Sequence, residues 1–93
     1  MPRQIIIKAR FERVYYRLSE QNLRMVDAGL KDFEDYLKTG KAPVGLGIKH
    51  LGSKTYEFRV SLALRVLYIL DEDRVILAFL GTHDELNRFL KNQ

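Results

Sequence analysis

Four residues in this chain have the types and spacing to do chemistry: Glu57, Arg59, Arg65 and His83. All four fall between Tyr56 and Glu85, in the stretch YEFRVSLALRVLYILDEDRVILAFLGTHDE. That stretch is rich in Val, Ile, Leu, Phe and Tyr, the residues that suit a pleated, half-buried surface, so a cation within it needs a partner. Arg65 makes the point most sharply, because Ala63, Leu67 and Ile69 flank it along its own face. An anionic ligand is one solution, and a salt bridge to Glu57 or Asp84 is the other. Arg59 and Glu57 also fit the solvated face of an edge strand, and His83 fits an exposed position at a helix start.

The elements that must position these residues follow from the pattern around them. Three apolar runs read as an antiparallel meander, with an acidic turn at Asp71, Glu72 and Asp73 between the last two. An odd-numbered connection near Ser61 to Ala63 puts Arg59 opposite Arg65 on one face, with Glu57 beside them. A two- or four-residue hairpin loop around Asp71 to Arg74 then sets Arg65 opposite Ala78 or Leu80, with His83 just beyond the last strand. A slip of one residue would send the two arginines to opposite faces.

Upstream, Ile5, Ile6 and Ile7 within Arg3 to Lys8 read as a buried strand that starts the sheet. Phe11, Val14, Tyr15 and Leu18 recur at helical spacing, and Ser19 offers an N-cap to a longer helix. Leu23, Val26, Leu30, Phe33 and Leu37 form the apolar stripe of that helix, and Gly40 ends it. Lys41 to Gly47 reads as a mobile connection into a short strand around Ile48 to Leu51. Thr82 and Glu85 form a capping-box pattern before Leu86, Phe89 and Leu90. The expected class is α+β: an N-terminal strand and a helical hairpin packed on a small, mainly antiparallel sheet, with a short C-terminal helix.

Composition narrows the chemistry. A chain of 93 residues is expected to form one domain spanning 1–93, with no room for a separate cofactor domain. It has no cysteine, which removes disulfides and thiolate chemistry. Two histidines far apart provide no metal constellation, so neither a metal nor a cofactor is expected. Ser19 is committed to a cap, and Ser53 and Ser61 have no histidine at a telling spacing. No apolar run reaches the roughly 20 residues of a membrane helix, and Met1 to Arg10 lacks a signal-peptide core, so a soluble cytoplasmic protein is expected. The net charge of +4 is concentrated in residues 41–66, which carry five basic residues and one acidic residue. That asymmetry suits a polyanion or an acidic protein partner. Lys49, His50, Lys54 and Tyr56 are the candidate RNA contacts near this segment, although the first three also read as ordinary loop solubilisers.

The small size, the paired N-terminal helices, YEFRV followed by LRVLYIL, and a last strand ending in GTHDE resemble the RelE/ParE toxin superfamily over nearly the whole chain. Resemblance to the RelE branch implies a toxin of a type II toxin–antitoxin pair. Such a toxin is a metal-independent endoribonuclease that cleaves mRNA in the ribosomal A site, inhibits translation, and is neutralised by a small acidic antitoxin in a hetero-oligomer. Resemblance to the ParE branch implies a non-enzymatic gyrase inhibitor instead. The RelE resemblance makes Arg65 and Arg59 the phosphate-binding cations, His83 the general acid and Glu57 the base. Two departures keep open a catalytically weak homologue that acts by protein binding. Glu57 stands where the most basic members carry Lys, and no tyrosine follows His83, where Phe89 has no hydroxyl to replace it.

Overall fold

The computed structural model describes residues 4–92. The chain runs β1 (Gln4–Ile7), α1 (Ala9–Tyr15), α2 (Glu20–Thr39), β2 (Lys49–Gly52), β3 (Thr55–Arg59), β4 (Leu64–Asp71), β5 (Arg74–Thr82) and α3 (His83–Lys91). The sheet order is β1-β5-β4-β3-β2, with β1 parallel to β5 and every other pair antiparallel. This is a mixed sheet in an α+β fold.

Local chemistry sets the helix ends. Ser19 Oγ accepts from the Asn22 N–H at 3.2 Å, and Gly40 takes the left-handed conformation (φ 76°) while its N–H donates to Tyr36 O. Between these caps α2 lays Val26 and Phe33 against one face of the sheet. The Phe33 ring centroid lies 4.5 Å from Phe58 and 4.6 Å from Tyr68. Phe11, Val66, Val75 and Leu80 belong to the same main core, and truncating one of its buried phenylalanines to Ala would cost about 3–5 kcal/mol. The helix packs tightly against the residue that follows β3 at Gly29, where a Cβ would sit 2.6 Å from Val60 Cγ1.

The opposite face carries a smaller core of Leu67, Phe79 and Leu86 beneath α3. The capping box forms as its spacing predicts: Thr82 Oγ1 accepts from the Glu85 N–H at 3.1 Å, and Glu85 Oε1 accepts from the Thr82 N–H at 2.8 Å. The β4–β5 hairpin closes through the two residues between Asp71 and Arg74. The neighbouring guanidinium of Arg74, with Lys54 adding less, holds the Asp71 carboxyl below its usual range.

Three expectations are corrected. The first strand is an edge strand and is not buried: Ile5 and Ile7 are 38% and 48% exposed, because β1 ends the strand order among the described residues with β5 on one side of it; Arg3 lies outside the described residues. The short strand after the glycine-rich connection is Lys49–Gly52, one residue later than expected. Arg65 pairs with Gly81 and not with Ala78 or Leu80, because the register shifts by one between Leu67 and Tyr68, leaving Ala78 as the extra residue of a bulge.

Candidate anion-binding site

The register of β3 on β4 makes Arg59 the direct partner of Arg65, and that of β2 on β3 makes Lys49 the partner of Glu57. Side chains alternate across a strand, so Glu57, Arg59, Arg65 and Lys49 project from the same face, the one opposite α2. His83, the first residue of α3, comes in from the end of β5. Together with Gly47 these five side chains line a cleft of about 120 Å³.

The cleft has a buried floor and an exposed rim. Glu57 is 7% exposed, and its Oε2 lies 3.8 Å from Arg65 Nε. That is an ion pair without hydrogen-bond geometry, and Arg65 Nε is a buried nitrogen with no hydrogen-bond partner. Arg59, Lys49 and His83 are exposed at the rim. The His83 Nε2 lies 3.3 Å from Asn87 Nδ2, one helical turn on. When the Asn87 amide donates, Nε2 is an acceptor and the ring proton is on Nδ1; a ring protonated on both nitrogens requires the amide to turn its oxygen inward.

Two glycines border this arrangement, Gly47 on the cleft wall and Gly81 across the ladder from Arg65, and neither is a candidate on sequence grounds. Gly81 stands opposite Arg65 and offers no side chain; a Cβ there would lie 2.8 Å from Phe79 Cε2 and 2.9 Å from Glu85 Oε1. The bulge at Ala78 is what delivers this glycine to Arg65. Gly47 has φ 58°, and its place on the cleft wall follows from the Arg59 N–H donating to Leu46 O at 2.8 Å. Residues 41–47 are thereby tied to the end of β3.

The other three candidates lie elsewhere. Tyr56 projects from the α2 face, with its ring 5.3 Å from Tyr68, and His50 lies against it at 4.6 Å with Nε2 beside Ser53 O. Lys54 precedes β3 and approaches Asp71 at 3.8 Å, about 17 Å along the strand from Arg59. Proximity in sequence misleads here because adjacent strand residues point to opposite faces. A roomier groove of about 480 Å³ on the α3 side is lined by Leu67, Ile69, Ala78, Phe89 and Leu90 together with Lys8 and Arg10, and brings together no acid–base pair among the described residues. No group of three or more His, Asp or Glu residues is placed to hold a metal ion among the described residues, and no described helix is long and apolar enough to cross a membrane.

No protein family pattern and no curated protein matches the chain in sequence. Solved structures do match its fold. A copper-bound mutant toxin from Helicobacter pylori superposes with a TM-score of 0.67 at 18% identity, covering 90% of this chain and 98% of that one. A chain of the E. coli DinJ-YafQ toxin–antitoxin complex gives a TM-score of 0.67 at 18% identity, covering 92% and 98%. A chain of the RelB-RelE antitoxin–toxin complex from Methanococcus jannaschii gives 0.66 at 12% identity, covering 90% and 96%. With its five-stranded mixed sheet, the N-terminal helices on one face and the capped C-terminal helix on the other, the chain has the RelE-like toxin fold.

Proposed function

We propose that this protein is the toxin of a toxin–antitoxin pair and a metal-independent endoribonuclease that cleaves mRNA at the ribosome. The observation that carries the reading is the meeting of three cations, a carboxylate and a histidine in one cleft of a RelE-like scaffold. Cleavage of this kind drives a ribose 2′-oxygen onto the adjacent phosphorus and expels the 5′-oxygen. It needs a base, an acid and positive charge for the phosphorane. Arg65 and Arg59 supply that charge, and Lys49 extends it along the RNA backbone. Glu57 Oε2 holds Arg65, which leaves Oε1 to take the proton from the 2′-hydroxyl. The O2′–P bond then forms, and His83 protonates the departing 5′-oxygen as the P–O5′ bond breaks. The products are a 2′,3′-cyclic phosphate and a 5′-hydroxyl. A small acidic antitoxin, matched to the +4 charge of this chain, is the proposed partner in a hetero-oligomer.

The test is induction of the protein in cells followed by primer extension on an abundant message, with and without its start codon. Cuts confined to the translated message are expected; cuts on both, or on neither, overturn ribosome-dependent cleavage. His83→Gln should slow cleavage while leaving ribosome binding intact, and an unchanged rate removes His83 from acid catalysis. A second reading, a non-enzymatic gyrase inhibitor or a catalytically weak homologue, draws support from the Glu57–Arg65 ion pair, which neutralises the innermost cation in the free protein. Growth arrest without RNA cuts is its signature.

A further inference from the structure

We infer that the groove on the far side of Arg59 is a nucleobase subsite, so that Arg59 holds a phosphate while the base of a neighbouring nucleotide enters the groove. This rests on the proposed action on RNA and adds how the RNA is read. Six large apolar side chains stand exposed among the described residues, and three of them, Met25, Val44 and Leu62, line this one groove. Val44 and Leu62 are fully or almost fully exposed, at 106% and 94%. The floor is Leu46, Val60 and the bare backbone of Gly29, and the volume is about 380 Å³, roomy enough for a purine or a pyrimidine.

Two observations select a nucleic acid as the occupant. Arg59 lines both this groove and the anion cleft, so an apolar recess and a phosphate-binding cation share one wall. In a nucleotide the base and the phosphate are joined through a single sugar, which matches that adjacency. Asp32 lines the same groove as an acceptor-only group. It can accept from the amino group of adenine, which carries no carbonyl, whereas uracil offers it only an N3–H set between two carbonyls that the carboxylate repels. The walls are also held in place. The Arg59 N–H donates to Leu46 O, and Ser61 Oγ accepts from the N–H groups of Ala63 and Leu64 at 3.2 and 2.9 Å, fixing the loop that presents Leu62.

The experiment measures binding of the full chain to oligoadenylate and oligouridylate by fluorescence anisotropy at low salt, together with steady-state cleavage of a translated message. The wild-type chain should bind oligoadenylate more tightly, and V44S/L62S, which removes apolar surface the base would cover, should weaken that binding by about tenfold, raising KM with kcat unchanged. Asp32→Asn should narrow the preference for adenine over uracil, because the amide can also donate to a uracil carbonyl, and should raise the affinity for both by removing a negative charge beside Arg59. Both substituted apolar residues are exposed, so the fold is expected to survive. Binding by V44S/L62S equal to wild type overturns the subsite, as does a loss confined to capture of an acidic protein partner, which would make the groove a protein interface. The two readings fail separately. Base-dependent binding without any ribosomal cleavage overturns the nuclease and spares the subsite, whereas cleavage with base-independent binding overturns the subsite alone.

Discussion

Arg59 and Arg65 face each other directly across the β3–β4 ladder, on the face that also carries Glu57. Like charges in that relationship destabilise a strand pair by about 0.2–1 kcal/mol, and the single carboxylate beside them is ion-paired with Arg65 alone. The arrangement therefore costs stability in the free protein and is relieved by an incoming anion. Arg59→Gln should leave thermal stability unchanged or raise it by about 0.5 kcal/mol, while lowering cleavage by about a hundredfold. A destabilised variant that still cleaves at the wild-type rate would show that Arg59 serves the sheet and not the chemistry.

Glu57 and Arg65 form the one ion pair at the cleft floor, and neither side chain is more than a fifth exposed. Removing the cation strands a buried carboxylate, so Arg65→Ala should destabilise the protein by about 2–3 kcal/mol, and a second change, Glu57→Gln, should recover most of that loss. Chemical denaturation of the two single variants and the double variant measures the coupling. Additive effects would mean that the 3.8 Å approach has no energetic content. Glu57→Gln alone keeps the shape of the side chain but removes both the anchor for Arg65 and the proton acceptor.

The sequence foretold most of this fold because its signals were local. The Ser19 cap, the left-handed Gly40 and the Thr82–Glu85 box each depend on a few neighbouring residues. The Arg59–Arg65 pairing was legible because it needs only an odd-length connection, and Ser61 Oγ closes that connection onto the N–H groups of Ala63 and Leu64. The partner of Arg65 on the other side was not legible. The extra residue at Ala78 carries no local signature, and its effect is felt three residues later, where Gly81 takes the place due to Leu80. Lys49 joins the cleft through strand pairing while its neighbour His50 leaves it, a division that follows only from the β2–β3 register. The exposure of Ile5 and Ile7 likewise depends on where β1 sits in the sheet order, which hydrophobicity alone does not encode.

Gly81 stands between Arg65, its ladder partner, and the first turn of α3. A methyl group there would meet the Phe79 ring edge and the Glu85 carboxylate, the latter being half of the capping box. Gly81→Ala should displace Glu85 and cost about 1–2 kcal/mol, near the value of losing a helix cap. The displacement would also move His83, so cleavage should fall by more than in a Thr82→Ala variant of equal stability. Matching the two variants by thermal denaturation and comparing their rates separates the effects. Equal rates at equal stability would mean that the glycine serves the cap alone.

Tyr15 and Asp27 join α1 to α2 through a 2.6 Å hydrogen bond from the phenol to Asp27 Oδ1, and that bond, with smaller help from burial and the Asp27 charge, raises the Tyr15 pKa. A phenol whose folded pKa lies above its unfolded value contributes stability that is fully present below about pH 10 and is lost as the pH rises through the folded value. The unfolded chain releases this proton first, so the slope of stability against pH is negative in that window. Tyr15→Phe should cost about 1 kcal/mol at neutral pH and should flatten the alkaline limb of the stability curve. Urea denaturation at neutral pH and again above pH 10 gives the comparison. A variant as stable as the wild type at both pH values would show that the packing of the ring, which phenylalanine keeps, and not the hydrogen bond to Asp27, ties the two helices together.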